Sequence, residues 1–109
     1  MTTSVYCTFQ FEALHCWPNA ASVEPEVSYL AHPHRHVFHC EARWKVEHSD
    51  RDREFILAKQ QCVKAVESLF GRDTSTWSCE QWAIELMGLV NADYVRVAED
   101  GENGAIVER

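Results

Sequence analysis

The stretch "HPHRHVFHCEARWKVE" (residues 32–47) alternates between two kinds of side chain. From residue 34 onwards, every second residue belongs to a largely apolar set: His34, His36, Phe38, Cys40, Ala42, Trp44 and Val46. The residues between them are mostly charged or polar. Because successive side chains of a β-strand point to opposite faces, this pattern predicts a half-buried strand over about 34–47, with two histidines on its buried face.

Three further strands are predicted by the same reasoning. The odd positions of 5–15 are apolar and end at His15, which is in phase with them. Segment 93–99 predicts a third strand with Val95, Val97 and Glu99 in phase. Residues 105–108 predict a fourth strand, after turn residues at Asp100-Gly101 and Asn103-Gly104. Residues 17–29, with two prolines and several small residues, predict a loop.

Two helices are expected between the second and third strands. Apolar residues follow helical spacing over 55–70, and Gly71 closes that segment. Ser78 and Gln81 form a capping box that opens the second helix, whose predicted buried stripe is Trp82, Ala83, Leu86 and Val90. The sequence therefore predicts one α+β domain over 1–109, in the order β-β-α-α-β-β, with two helices on one face of a four-stranded antiparallel sheet.

Composition excludes several classes of function. A formal net charge of -7 and the lack of a basic run make nucleic acid an unsuitable partner. No apolar stretch reaches the length of about 18 residues that a membrane helix needs, and the first eleven residues do not resemble a secretory signal. Five cysteines without CxxC spacing favour reduced, buried thiols, so we expect a cytoplasmic protein.

Three histidines share the apolar faces of the first two strands. His34 and His36 are two residues apart and therefore point to the same side, and His15 ends the strand that we expect to pair nearby. An imidazole left without a partner on a buried face costs about 1–3 kcal/mol, so three of them indicate a common partner. Three neutral imidazoles are a common ligand set for Zn²⁺, although they also suit iron and nickel.

An alternative pattern involves the same histidines. "HRHVFHCE" also fits the HxH, four residues and glutamate of cupins, which are all-β metal-binding barrels. On an unbroken strand, however, Glu41 faces away from His34 and His36. Two predicted helices also disfavour a cupin.

The ordered motifs resemble the 6-pyruvoyl-tetrahydropterin synthase and 6-carboxy-tetrahydropterin synthase family. "FEALH" (11–15) is similar to its F-x-A-x-H, and "HRHVF" (34–38) to its HGHNY strand; these motifs carry the family's three zinc histidines. "REFILAK" (53–59), "SCEQWA" (78–83) and "VRVAEDGENGAIVE" (95–108) resemble the two helix starts and the closing hairpin. The last of these aligns Glu99 with the glutamate that anchors the pterin.

The resemblance implies a tunnelling fold, a zinc-dependent lyase-type site for a pterin or purine-like heterocycle, and a homo-oligomer with sites between subunits. Glu99 would accept two parallel N–H donors of such a heterocycle. The family's cysteine base is replaced by Leu30, and its later Asp-His pair has no counterpart in "LFGRDTSTWS" (69–78). Among the remaining residues, His32 is the best candidate base, because it precedes His34 by two positions and imidazole is a common general base.

Two hypotheses follow for the function. The first is a divergent enzyme that uses zinc and a replacement base. The second is a binding protein that holds a pterin, a guanine-like base or a nucleotide without turning it over. A third possibility is a fold kept only for assembly, with its histidines packed in the core.

Overall fold

The computed structural model describes residues 1–109 and has the predicted order of its main elements. These are β1 (Ser4–His15), α1 (Ala20–Val23), a 3₁₀ helix (Pro25–Ala31), β2 (His34–Lys45), α2 (Phe55–Leu69), α3 (Cys79–Val90), β3 (Tyr94–Glu99) and β4 (Asn103–Glu108). The chain is thus an α+β protein, as the sequence predicted.

The four strands form one antiparallel sheet in the order β1-β2-β3-β4. Its register places His15 opposite His34 and Ala13 opposite His36. Between β2 and β3, Phe38 lies opposite Glu99. Directly opposed residues of paired strands share a face, so Glu99 lies on the face that carries the histidines.

That face is covered by helices, as the alternation predicted. Apart from Ala98, the buried strand residues are odd positions of β1 and β3 and even positions of β2: Cys7, Phe9, Phe11, Phe38, Cys40, Ala42, Trp44, Val95 and Val97. They form one apolar cluster with buried residues of α2 and α3. The opposite face carries exposed residues such as Tyr6 and Leu14, so the burial of apolar area is one-sided.

The helices follow the predicted spacing with local differences. All four predicted core residues of α3 are buried. In α2 the predicted apolar set is only partly buried, because Phe55, Val63 and Phe70 are exposed. None of the helices is both long and apolar enough to cross a membrane.

The predicted capping box at α3 is only half correct. The Ser78 hydroxyl accepts a hydrogen bond from the Gln81 backbone N–H at 3.1 Å. The Gln81 side chain does not return to Ser78 but donates to Glu85 at 3.0 Å, one turn further along the helix. A Ser78 cap alone satisfies one of the four free N–H groups at this helix start.

Two other local predictions were wrong. Residues 17–29 are not merely a loop, since they contain α1 and most of the 3₁₀ helix, in which Pro25 takes a first-turn position that needs no N–H donor. The turn predicted at Asp100-Gly101 is confirmed, with φ angles of 54° and 74°, but the turn predicted at Asn103-Gly104 is wrong, because both residues belong to β4. Gly104 is required there for close packing: a Cβ would lie 1.9 Å from the Val97 carbonyl oxygen.

Candidate metal centre

Three imidazoles meet at one end of the sheet. His15 ends β1, and its strand partner His34 begins β2, so the pairing alone brings them together. His36 follows two residues later on the same face. One ring nitrogen of each histidine lies within 4.8 Å of those of the other two. The ring centroids are 4.5 to 5.1 Å apart and the ring planes are inclined to one another by 71° to 84°, so each ring packs edge-on against the other two.

The other nitrogen of each ring is held by an oxygen acceptor. The Nδ1 contacts are Trp77 O at 3.1 Å from His15, His32 O at 2.7 Å from His34, and Asp100 Oδ2 at 2.6 Å from His36. Carbonyl and carboxylate oxygens only accept, so each Nδ1 carries the proton in these contacts. The Nε2 atoms are left with free lone pairs, which is the usual arrangement of metal-binding histidines and their outer-shell partners.

Two of these Nε2 atoms are buried without a hydrogen-bond partner. They belong to His15 and His36, whose side chains are 11% and 19% exposed. Leaving a buried polar atom unsatisfied costs about 1–3 kcal/mol, and neither atom reaches water. A divalent cation shared by the three rings removes this cost, so the residues present fit a zinc ion.

Glu99 lies directly beside this cluster. Its Oε1 is 3.3 Å from His15 Nε2, and its Oε2 is 3.5 Å from His36 Nε2. Neither contact has the alignment of a hydrogen bond, since both Nε2 atoms remain unpartnered. The sequence placed Glu99 on the correct face but did not indicate that it touches the histidines.

Asp100 also contacts the histidine cluster, although the sequence indicated it only as part of a turn. Its Oδ1 accepts the Val37 N–H at 3.0 Å, and its own N–H donates to the Val37 carbonyl at 2.7 Å. The hydrogen bond from His36, together with the bond from the Val37 N–H, holds the pKa of the Asp100 carboxyl below its usual range. Asp100 therefore stays ionised and orients the His36 ring.

The Asp100→Asn variant is expected to bind zinc roughly 10-fold more weakly, at the lower end of the 10–100-fold effect typical of outer-shell changes. Asparagine keeps an acceptor oxygen and tolerates the left-handed backbone of this position, but it removes the negative charge that strengthens the imidazole as a ligand. Competition with a chromophoric chelator measures the change.

Asp93→Asn is the matched control. The Asp93 carboxylate also accepts a backbone N–H of β2, from Lys45 at 2.8 Å, but it lies at the other end of the sheet. Equal zinc affinity in wild type and Asp100→Asn would show that Asp100 has no part in the metal centre.

A cavity of about 410 Å³ opens beside the cluster. His15, His34 and Glu99 line one side, and its other lining residues include Trp17, Leu30 and Cys79. This volume lies within the range of about 300–1,000 Å³ of small-molecule sites. The cavity can therefore hold a small planar ligand against the histidine cluster.

The cavity wall also contains residues that bear on proton transfer. Leu30, at the position where the resemblance would place a cysteine base, lies in this wall. Cys79 also lies there, with its Sγ 3.9 Å from Glu99 Oε1. Burial, with a contribution from the Glu99 carboxylate, raises the pKa of the Cys79 thiol to about 12. Cys79 is consequently a neutral thiol near pH 7 and not a replacement for a thiolate base.

The other candidate residues lie apart from the cluster. His32 is exposed and does not line the cavity; only its main-chain carbonyl contacts the site, through His34. Glu41 pairs with Arg43 on the opposite face of β2, so the cupin-type ligand set is not formed. The sequence analysis did not single out Cys79, because its approach to Glu99 depends on how α3 packs against β3.

The chain matches no known protein-family model and no curated protein.

Proposed function

We propose that this chain is a zinc-dependent protein that binds a pterin or a related purine-like heterocycle in the cavity beside His15, His34 and His36. The observation that carries the proposal is the arrangement of the three imidazoles, each held by an oxygen at Nδ1 and directing Nε2 to a shared centre. If the fold served only for assembly, the unpaired Nε2 atoms of His15 and His36 would destabilise it, and no contact would compensate for that loss.

The histidines would hold the zinc ion, and zinc supplies Lewis-acid polarisation of a ligand oxygen when it is bound. The protein's own groups orient the three histidine rings. Trp77, through its carbonyl, and Asp100 fix the ring orientations, and the buried Phe38 packs against His15 and His36 with centroid distances of 5.6 and 6.0 Å. This packing limits the movement of the rings before any ligand arrives.

Glu99 supports a heterocycle as the ligand. Its carboxylate lines the cavity and has no Lys or Arg partner, so it can accept two parallel N–H donors such as those of a 2-amino-4-oxo ring. Trp17 lines the same cavity and supplies an aromatic side chain there. A flat ring with a donor edge matches both features, and a strongly anionic ligand does not, because Glu80 also lines the cavity.

We further propose the tunnelling fold and a homo-oligomer for this chain, by its resemblance to the pterin synthases. The element order and the four-stranded antiparallel sheet are compatible with that fold. The strands at the two edges, β1 and β4, each have one side without a strand partner within the chain. Such edges are suited to pairing with further copies.

Binding without turnover is the form of the function that the site supports best. Leu30 occupies the position of the family's base, the Cys79 thiol is neutral, and His32 lies outside the cavity. Lyase-type turnover is the second candidate, favoured by the contact between Glu99 and two metal-site histidines, which brings a carboxylate next to the centre of the chemistry.

Zinc-loaded wild type is expected to bind unsubstituted pterin, and Glu99→Gln to bind it about 10–100-fold more weakly. Glutamine replaces one of two acceptors by a donor, and a hydrogen bond to a charged group contributes about 1.5–3 kcal/mol. Quenching of pterin fluorescence measures the affinity. Glu102→Gln, in the exposed turn after Asp100, is the matched control. Wild type that neither binds nor alters pterins or guanine would contradict the proposed ligand class.

A further inference from the structure

We infer that the carboxylate of Glu99 is itself a metal ligand, which completes a set of three histidines and one carboxylate whenever the cavity holds no heterocycle. The inference rests on the proposed function, because it concerns the same centre. Three histidines alone would leave one coordination position of the metal open. With Glu99 as the fourth ligand, the protein itself would fill that position.

The interatomic distances carry this inference. In a tetrahedral zinc site with bonds of about 2.0–2.2 Å, neighbouring ligand atoms are roughly 3.3–3.5 Å apart. Glu99 Oε1 is 3.3 Å from His15 Nε2, and Oε2 is 3.5 Å from His36 Nε2. A carboxylate kept for a distant part of a ligand has no reason to take this separation from two imidazole nitrogens at once.

The surroundings of Glu99 favour the same role. His15 and His36 are its only ion-pair partners, and neither contact is aligned as a hydrogen bond. The remaining polar neighbour is the neutral Cys79 thiol at 3.9 Å. A carboxylate so placed lacks a cation, and a zinc ion between the imidazoles and the carboxylate would provide it.

The backbone holds Glu99 in this position. Glu99 is paired with the fully buried Phe38 in the register of β2 and β3. The next residue, Asp100, is bonded to both the N–H and the carbonyl of Val37. Because Asp100 also binds His36, one turn fixes both a metal-site carboxylate and the orientation of a metal-site imidazole.

Closure by Glu99 has a consequence for ligand binding. The carboxylate that would bind the metal is also the group that would accept the N–H donors of a heterocycle, so the two contacts compete. A heterocycle that takes Glu99 thereby opens the fourth position at the metal. Ligand recognition and access to the metal are then linked through one side chain.

The experiment is an azide titration of the Co²⁺-substituted protein, followed through the d–d absorption bands. Co²⁺ accepts the geometry of zinc sites and reports the number and type of its ligands. We expect no azide-dependent change in wild type up to concentrations that saturate Glu99→Ala. Glu99→Gln, which keeps the side-chain shape, is expected to behave like Glu99→Ala, and Glu102→Ala like wild type.

The outcomes separate this inference from the proposed function. If wild type bound azide as readily as Glu99→Ala does, the inference about Glu99 would be wrong, but the metal site itself would still be supported. Failure of wild type to bind Co²⁺ would overturn both. A closed wild-type site that opens on addition of unsubstituted pterin would support both, and a closed site with no pterin binding would support the inference alone.

Discussion

The Gly104→Ala variant is expected to lose about 3 kcal/mol or more of its free energy of unfolding, the upper end of the effect of overpacking. An alanine Cβ would lie 1.9 Å from the Val97 carbonyl oxygen and 2.6 Å from the Ala98 Cα. Both are backbone atoms of β3, so the clash cannot be relieved by a side-chain rotation. Relief requires β4 to separate from β3, which also carries Glu99.

Gly88→Ala is the matched control and is expected to change stability in the opposite direction. Gly88 lies inside α3, and no heavy atom is within 4 Å of the position that a Cβ would take. Alanine is favoured over glycine in a helix by roughly 0.5–1 kcal/mol. Urea unfolding of the three proteins measures both effects. Equal stability of the two variants would show that the β3–β4 packing is not as described.

Much of the fold follows from local patterns in the sequence. The alternation over 34–47 determined both the strand and its buried face, because a one-residue shift would expose the entire apolar set. The same rule placed His15, His34 and His36 on one face. Their meeting also required β1 and β2 to be neighbours, which is the common arrangement for consecutive strands.

The outer contacts of the site could not be predicted in this way. Asp100 and His36 are 64 residues apart in the chain, and their contact depends on the register of β2 with β3 and on a left-handed backbone at Asp100. Likewise, the contact of His15 with the Trp77 carbonyl joins β1 to the segment before α3. Such contacts are set by packing between elements, which sequence periodicity does not describe.

The position of Glu99 depends both on the periodicity of its strand and on the register of the sheet. Strand periodicity placed it in phase with Val95 and Val97, and the resemblance alone implied that it anchors a heterocycle. Only the register, which pairs it with Phe38, brings its carboxylate to His15 and His36. Gly104 is a similar case: "NG" is a common turn dipeptide, yet the turn forms earlier and the glycine serves close strand packing.

Combined replacement of His34 and His36 by alanine is expected to abolish zinc binding. The two residues supply two of the three imidazoles, and His15 and Glu99 alone cannot enclose an ion in tetrahedral geometry. The loss should far exceed the roughly 10–100-fold effect of an outer-shell change such as Asp100→Asn. The fold should remain, because neither imidazole belongs to the apolar core cluster.

The matched control for this variant is His39→Ala/His48→Ala. His39 lies on the opposite face of β2, near the turn at Gly101, and the exposed His48 pairs with Asp52, so neither reaches the metal centre. Circular dichroism of both double variants verifies that each is folded. Loss of zinc from both, or from neither, would show that binding does not depend on the proposed histidines.

The most direct test of the metal centre is the metal content of the wild-type protein purified without added metal, measured beside the His34→Ala/His36→Ala variant. We expect about one zinc ion per chain in wild type and none in the variant. A wild-type protein that contains no zinc and takes up none from solution would contradict this expectation, and the three histidines would then be packing residues at the end of the sheet.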